Sequence, residues 1–112
     1  MGARFIANTV LYSKGLKNIK TNEQDTEISF EFEAESGKSK TFTAYIPTRD
    51  DYEISVEVVD RAINLNCNLI IYDIWIFPTA SGSDYANING IPVYDVREFI
   101  KKIKNGKNLE LL

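Results

Sequence analysis

A chain of 112 residues, 44% hydrophobic and 26% charged, has the composition of a globular domain, and at this length folding removes about two thirds of the unfolded chain's surface from water, enough for one core. The absence of histidine excludes Ser-His-Asp and Cys-His catalysis, and a lone cysteine, Cys67, excludes an internal disulfide and a cysteine-built zinc shell. Net charge is only −3, but residues 21–60 carry eleven acidic and three basic side chains, against four basic and no acidic ones in residues 1–20 and six basic and five acidic ones in residues 61–112; the acidic middle repels a phosphate backbone.

The longest uncharged apolar run, Ile74 to Ala80, is far shorter than the roughly 18–20 residues that cross a bilayer, and Met1 to Lys20 holds no secretory apolar segment. One domain spanning residues 1–112 is expected, cytoplasmic and away from membranes. In chain order, "ARFIANTVLY" could present Phe5, Ile6, Thr9 and Val10 on one helical face, but its β-branched and aromatic content favours a strand over residues 3–12. From Glu27, "EISFEFEA" alternates strictly, with Ile28, Phe30, Phe32 and Ala34 on one face and Glu27, Ser29, Glu31 and Glu33 on the other. Ser36-Gly37 supplies a turn, and Phe42, Ala44 and Ile46 resume the alternation, so the two runs predict an antiparallel hairpin.

"PTRDDYEISVEVVDRAINLNCN" carries two periods at once. Tyr52, Ile54, Val56 and Val58 alternate, whereas Ile54, Val58, Val59, Ala62 and Ile63 form a helical stripe. Asp50 or Asp51 can cap a helix after Pro47 and Glu53 suits its first turn, so a helix is expected over residues 52–65. Leu69 to Phe77 is apolar except for Asp73, the pattern of a strand covered on both faces, and Pro78 stops it. Ser81 or Ser83 then caps a short helix, Asp84 to Asn89, closed by Gly90 in a left-handed conformation. Ile91 to Tyr94 reads as a strand. Asp95, with Glu98 three residues on, caps a last helix whose buried stripe is Val96, Phe99, Ile100 and Ile103 and which ends at Gly106. The expected fold is α/β: a mixed sheet with an antiparallel hairpin and a central buried strand, and helices on both faces.

From Glu27 to Lys104 this order, carried by the stretch "IFPTASGSDYANINGIPVYDVREFIKKI", resembles the Mrr-type branch of the restriction endonuclease-like, PD-(D/E)XK, nuclease superfamily. The resemblance implies a nuclease-type fold in which an acidic residue on the first hairpin strand and Glu or Gln, any residue, Lys on the second hold Mg²⁺ and orient a water. Matching the hairpins about Ser36-Gly37 puts the second motif at Thr43, Ala44 and Tyr45 and the acidic partner near Phe30, with Ser29 and Glu31 one step away on the opposite face. The catalytic side chains are not there, and the resemblance implies a relative that has lost or relocated its site.

Three groups of residues carry candidate chemistry. The loop "PTASGSD" follows a buried strand and opens a helix, so Thr79, Ser81, Gly82 and Ser83, with Asp73, could bind an anion or nucleotide; the same residues are good turn and cap formers. Asp73 is either a functional acid or the point where the strand reaches the surface. Tyr72, Trp75 and Tyr85, together with the acidic residues Glu31 and Glu33, form the second group, a surface for a protein partner; the aromatics could also stack nucleobases. The acidic row could gather a divalent cation, although a solvated sheet face accounts for it equally simply. Lys101, Lys102, Lys104 and Lys107 suit the negative end of the last helix, or could join Lys14, Lys17 and Lys20 against phosphates. Cys67 reads as a small buried hydrophobe.

The expectation is therefore a non-catalytic, protein-binding or regulatory domain that needs no cofactor and meets a protein partner or a second copy of itself. The alternative is a metal-dependent nuclease or nucleotide-binding protein with an unconventional site, for which alone Mg²⁺ and nucleic acid would be required.

Overall fold

The computed structural model describes residues 2–11, 16–33, 39–48 and 51–104, less the side chains of residues 10, 11, 32, 33, 103 and 104. Helix α1 (Ala3–Ile6) runs into a π turn (Ala7–Leu11). Three strands follow, β1 (Lys17–Thr21), β2 (Glu27–Glu33) and β3 (Ser39–Tyr45), then the short β4 (Glu53–Ile54) and helix α2 (Val56–Asn64). The chain continues through β5 (Leu69–Tyr72), β6 (Phe77–Pro78), α3 (Ala80–Ile88), β7 (Val93–Asp95) and α4 (Val96–Lys104). The main sheet has the order β1-β2-β3-β5-β7. Its first two pairings are antiparallel and its last two parallel, and β4 and β6 form a separate parallel pair.

The expected α/β architecture is present. The hairpin aligns Ile28 with Ala44 and Phe30 with Phe42, so the alternation puts one apolar row from each strand on the same face. There Ile28, Phe30, Phe42, Ala44, Leu69 and Ile71 meet α1, the π turn and Phe99 of α4. On the opposite face Tyr45 and Ile70 pack with Ile54, Val58, Val59 and Ala62 around α2 and with Ala86 of α3. Strand β5 lies between β3 and β7 and feeds both cores, as its continuous apolar run predicts. No helix among the described residues is long and apolar enough to cross a membrane.

Several expectations are corrected. The opening segment is helical: Ala3, Ile6 and Ala7 bury one face, and Asp25 holds the helix start by accepting the Ala3 N–H on its carbonyl and the Arg4 N–H on its carboxylate. Tertiary packing and a borrowed cap outweigh the β propensity of the run. The Lys17–Thr21 strand, not foreseen, sits at the sheet margin, where its polar side chains face solvent.

Helix α2 begins at Val56, four residues later than expected, because Ile54 joins the parallel pair with Pro78; Ser55 is the N-cap and accepts the Val58 N–H. Helix α3 begins earlier than expected, at Ala80, with Thr79 as its cap. Gly90 follows α3 with φ +67°, the left-handed closure that its sequence position predicted. Asp95 accepts the Glu98 N–H at 2.8 Å, as a capping residue should. The hairpin turn at Ser36-Gly37 and the end of α4 at Gly106 lie outside the described residues.

Candidate functional site

The expected strand from Leu69 to Phe77 is in fact two strands separated by a turn. β5 stops at Tyr72, and the Ile76 N–H reaches back to the Asp73 carbonyl at 3.0 Å. This turn drives Ile76 inward and leaves Trp75 80% exposed. The run is apolar for two different reasons: its first half fills the sheet, and its second half stands in water.

The parallel strands β3 and β5 end side by side, with Tyr45 opposite Ile70. Beyond their carboxyl ends lies a cleft of about 540 Å³. Pro47 and Thr48 from the β3 side and Asp73, Trp75 and Ile76 from the β5 side line it. Asp51 and Tyr52 complete the lining, brought there because β4 pairs with β6, Glu53 opposite Phe77. Tyr52 is as exposed as Trp75, at 80%, and Phe77 follows at 69%. Open α/β sheets commonly bind ligands beyond the carboxyl ends of parallel strands.

A polar chain stiffens the Asp51 side of the cleft. Nη1 of Arg61, on α2, donates to Tyr45 Oη at 3.1 Å and to both carboxylate oxygens of Asp51 at 3.2 Å. Asp51 also accepts the Thr48 N–H at 3.4 Å and returns its own N–H to the Thr48 carbonyl at 3.0 Å. A buried phenol, a guanidinium and a carboxylate thus tie the end of β3, the helix and the intervening loop together.

The five residues expected to bind an anion do not share this cleft. Asp73 lines it, whereas Ser83 lines a second cleft with Pro78, Ala86, Asn87 and Ile91. Thr79 accepts the Gly82 N–H at 2.9 Å and donates to the Ile54 carbonyl at 3.3 Å, so its hydroxyl is used in fixing α3. Gly82 is buried against Ile54, and Ser81 is exposed on the first turn of α3.

The residues expected to meet a partner are also dispersed. Tyr72 is half-buried, and burial first and the Asp95 charge second push its phenol upward. Tyr85 donates to Asp60 at 3.0 Å. Glu31 accepts from Asn18, and Glu33 lies in β2 opposite Ser39 with its side chain outside the described ones. Of this set only Trp75 lines the large cleft. Its companions Asp51 and Tyr52 were absorbed into the expected helix, and the sole hint in the sequence was the second, alternating period of that segment.

At the positions where the nuclease pattern would stand, Thr43 faces Ser29 and Tyr45 faces Glu27. Glu27 accepts from Asn22 at 3.0 Å and from the Cys67 thiol at 3.8 Å. Among the described residues no group of three or more His, Cys, Asp or Glu side chains is arranged to hold a metal ion. No protein-family model, curated protein or solved structure matches the chain.

Cys67 is 4% exposed, and burial first and the Glu27 charge second push its thiol up to about 12. At pH 8 the folded protein is expected to react with a disulfide-exchange reagent far more slowly than the unfolded chain; equal rates would contradict the packing. Because the folded thiol value is raised, the stability it contributes is complete below the ordinary 9.0 and is lost as the pH climbs toward about 12.

Proposed function

We propose that this chain is a non-catalytic binding domain that engages a protein partner through the cleft walled by Tyr52 and Trp75. The observation that carries the reading is the exposure of both aromatics, 80% each, on one concavity beyond two parallel strands. Large aromatics left in water on a rigid support are the side chains that dominate protein interfaces once a partner desolvates them. Phe77 and Ile74, both exposed, widen the apolar surface beside Trp75.

The endonuclease-like kinship belongs to the same proposal. The order of hairpin, crossover helix and apolar strand supports it, while Thr43, Ala44 and Tyr45 in the second hairpin strand supply neither the carboxylate nor the lysine that nuclease chemistry needs. The cleft then serves recognition instead of hydrolysis.

Trp75→Ala is expected to unfold at the wild-type temperature, since its indole contributes little to the core, and to retain a captured partner at least tenfold less well than the wild type in an affinity-capture comparison. Labelled DNA and RNA with Mg²⁺ or Mn²⁺ are expected to stay intact. Cleavage abolished by Asp73→Ala, or capture indifferent to Trp75→Ala, would overturn the reading.

A further inference from the structure

We infer that the cleft selects a basic segment of its partner, taking an arginine side chain against Tyr52 and Trp75 with its guanidinium turned to Asp73 and Asp51. The inference rests on the reading of this cleft as a partner surface and adds the chemistry of the occupant. Two π faces and two carboxylates line one concavity of about 540 Å³, ample room for a single side chain with the backbone on either side of it. Aromatic faces attract cations through their quadrupoles, and the planar guanidinium both stacks on a ring and pairs with a carboxylate, which an ammonium does less well.

The protein already makes this arrangement once with its own residues. Arg61 holds its guanidinium between the Tyr45 phenol and the Asp51 carboxylate, so that carboxylate has one face engaged from below. The surroundings favour a second cation over an anion. Glu53 and Glu57 are exposed close to the cleft in sequence, and Asp60 is exposed further along α2. All three belong to residues 21–60, where eleven acidic side chains face three basic ones. That field draws a basic peptide toward the cleft and repels a phosphate-bearing ligand, which argues against a nucleotide stacked between the same rings.

Trp75 is the chain's one tryptophan, so its emission reports the cleft directly. The probes are capped glycine-serine peptides carrying one arginine, lysine, glutamine or glutamate, and AMP. The arginine peptide is expected to change Trp75 emission saturably, the lysine peptide more weakly, and the glutamate peptide and AMP not at all. Added salt should weaken the arginine signal, and Asp73→Asn should weaken it about tenfold with the thermal transition unchanged. For Trp75→Ala, amide shifts of Thr48, Asp51 and Ile76 replace the emission signal and should no longer respond.

Equal or stronger binding of the glutamate or glutamine peptide, or of AMP, would overturn the inference while leaving the cleft a binding site. Silence from every probe on a folded protein would also overturn it. The broader reading is tested separately, by whether Trp75→Ala loses its partner.

Discussion

Replacing Phe30 by alanine is expected to cost the fold about 3–5 kcal/mol, the range for truncating a fully buried phenylalanine. Phe30 is 0% exposed. Its ring stacks on Phe42 at 5.9 Å and meets Phe99 edge-on at 6.1 Å, so one side chain joins β2, β3 and α4. Domains of this size hold about 5–15 kcal/mol in total, and the loss should lower the thermal midpoint by roughly 12–25 °C. Phe30→Leu, which keeps most of the volume, is the control and should cost much less. Urea unfolding of both variants measures the difference. A cost below about 1 kcal/mol for the alanine variant would mean that the three rings do not share one packed seam.

Gly82→Ala is expected to be nearly as damaging, for the opposite reason. A Cβ at this position would lie 2.0 Å from the Ile54 carbonyl oxygen and 3.0 Å from Thr79 Oγ1. The obstruction is backbone and cannot rotate away. That same carbonyl accepts the Thr79 N–H at 3.2 Å and the Thr79 hydroxyl at 3.3 Å, so moving it loosens the start of α3 and the β4–β6 pair together. Overpacking of this kind costs about 3 kcal/mol, of which the better helix propensity of alanine returns about 1. The variant should also disturb Trp75 emission, because the β4–β6 pair keeps Tyr52 beside the turn that bears Trp75. An alanine variant as stable as the wild type would show that α3 can slide off Ile54 without consequence.

Legibility of the fold followed the strength of local periodicity. The hairpin could be read because Ile28 and Phe30 alternate with polar residues against Phe42 and Ala44, and a one-residue slip would put the entire apolar row in water. Helix α4 could be read because Asp95 and Glu98 mark its start and Phe99 and Ile100 its buried side. The first helix could not, since its start is capped by Asp25, a residue far along the chain. Strand β1 was illegible for a different reason: Lys17, Asn18 and Lys20 carry no apolar signature, and Ile19 alone is half-buried.

The candidate site was legible only at Trp75 and Asp73. Hydropathy cannot tell an apolar residue that fills a core from one held out for a partner, so Ile74, Trp75 and Phe77 read as a continuation of the buried strand. What separates them is one backbone hydrogen bond, from Ile76 to Asp73. Tyr52 and Asp51 were hidden by the two-residue pairing of β4 with β6, which is too short to leave a pattern and yet decides which side chains face one another.

The margin formed by β1 has a consequence for the molecule in a crowded solution. Its register to β2 shifts between Lys17 and Lys20, and Asn18 adopts φ 54°, so the ladder is kinked and flanked by ammonium groups. At the far margin β7 offers only three residues. A neighbouring molecule seeking to prolong the sheet meets a broken template on one flank and an abbreviated one on the other, which protects the protein against the stacking that leads to fibrils.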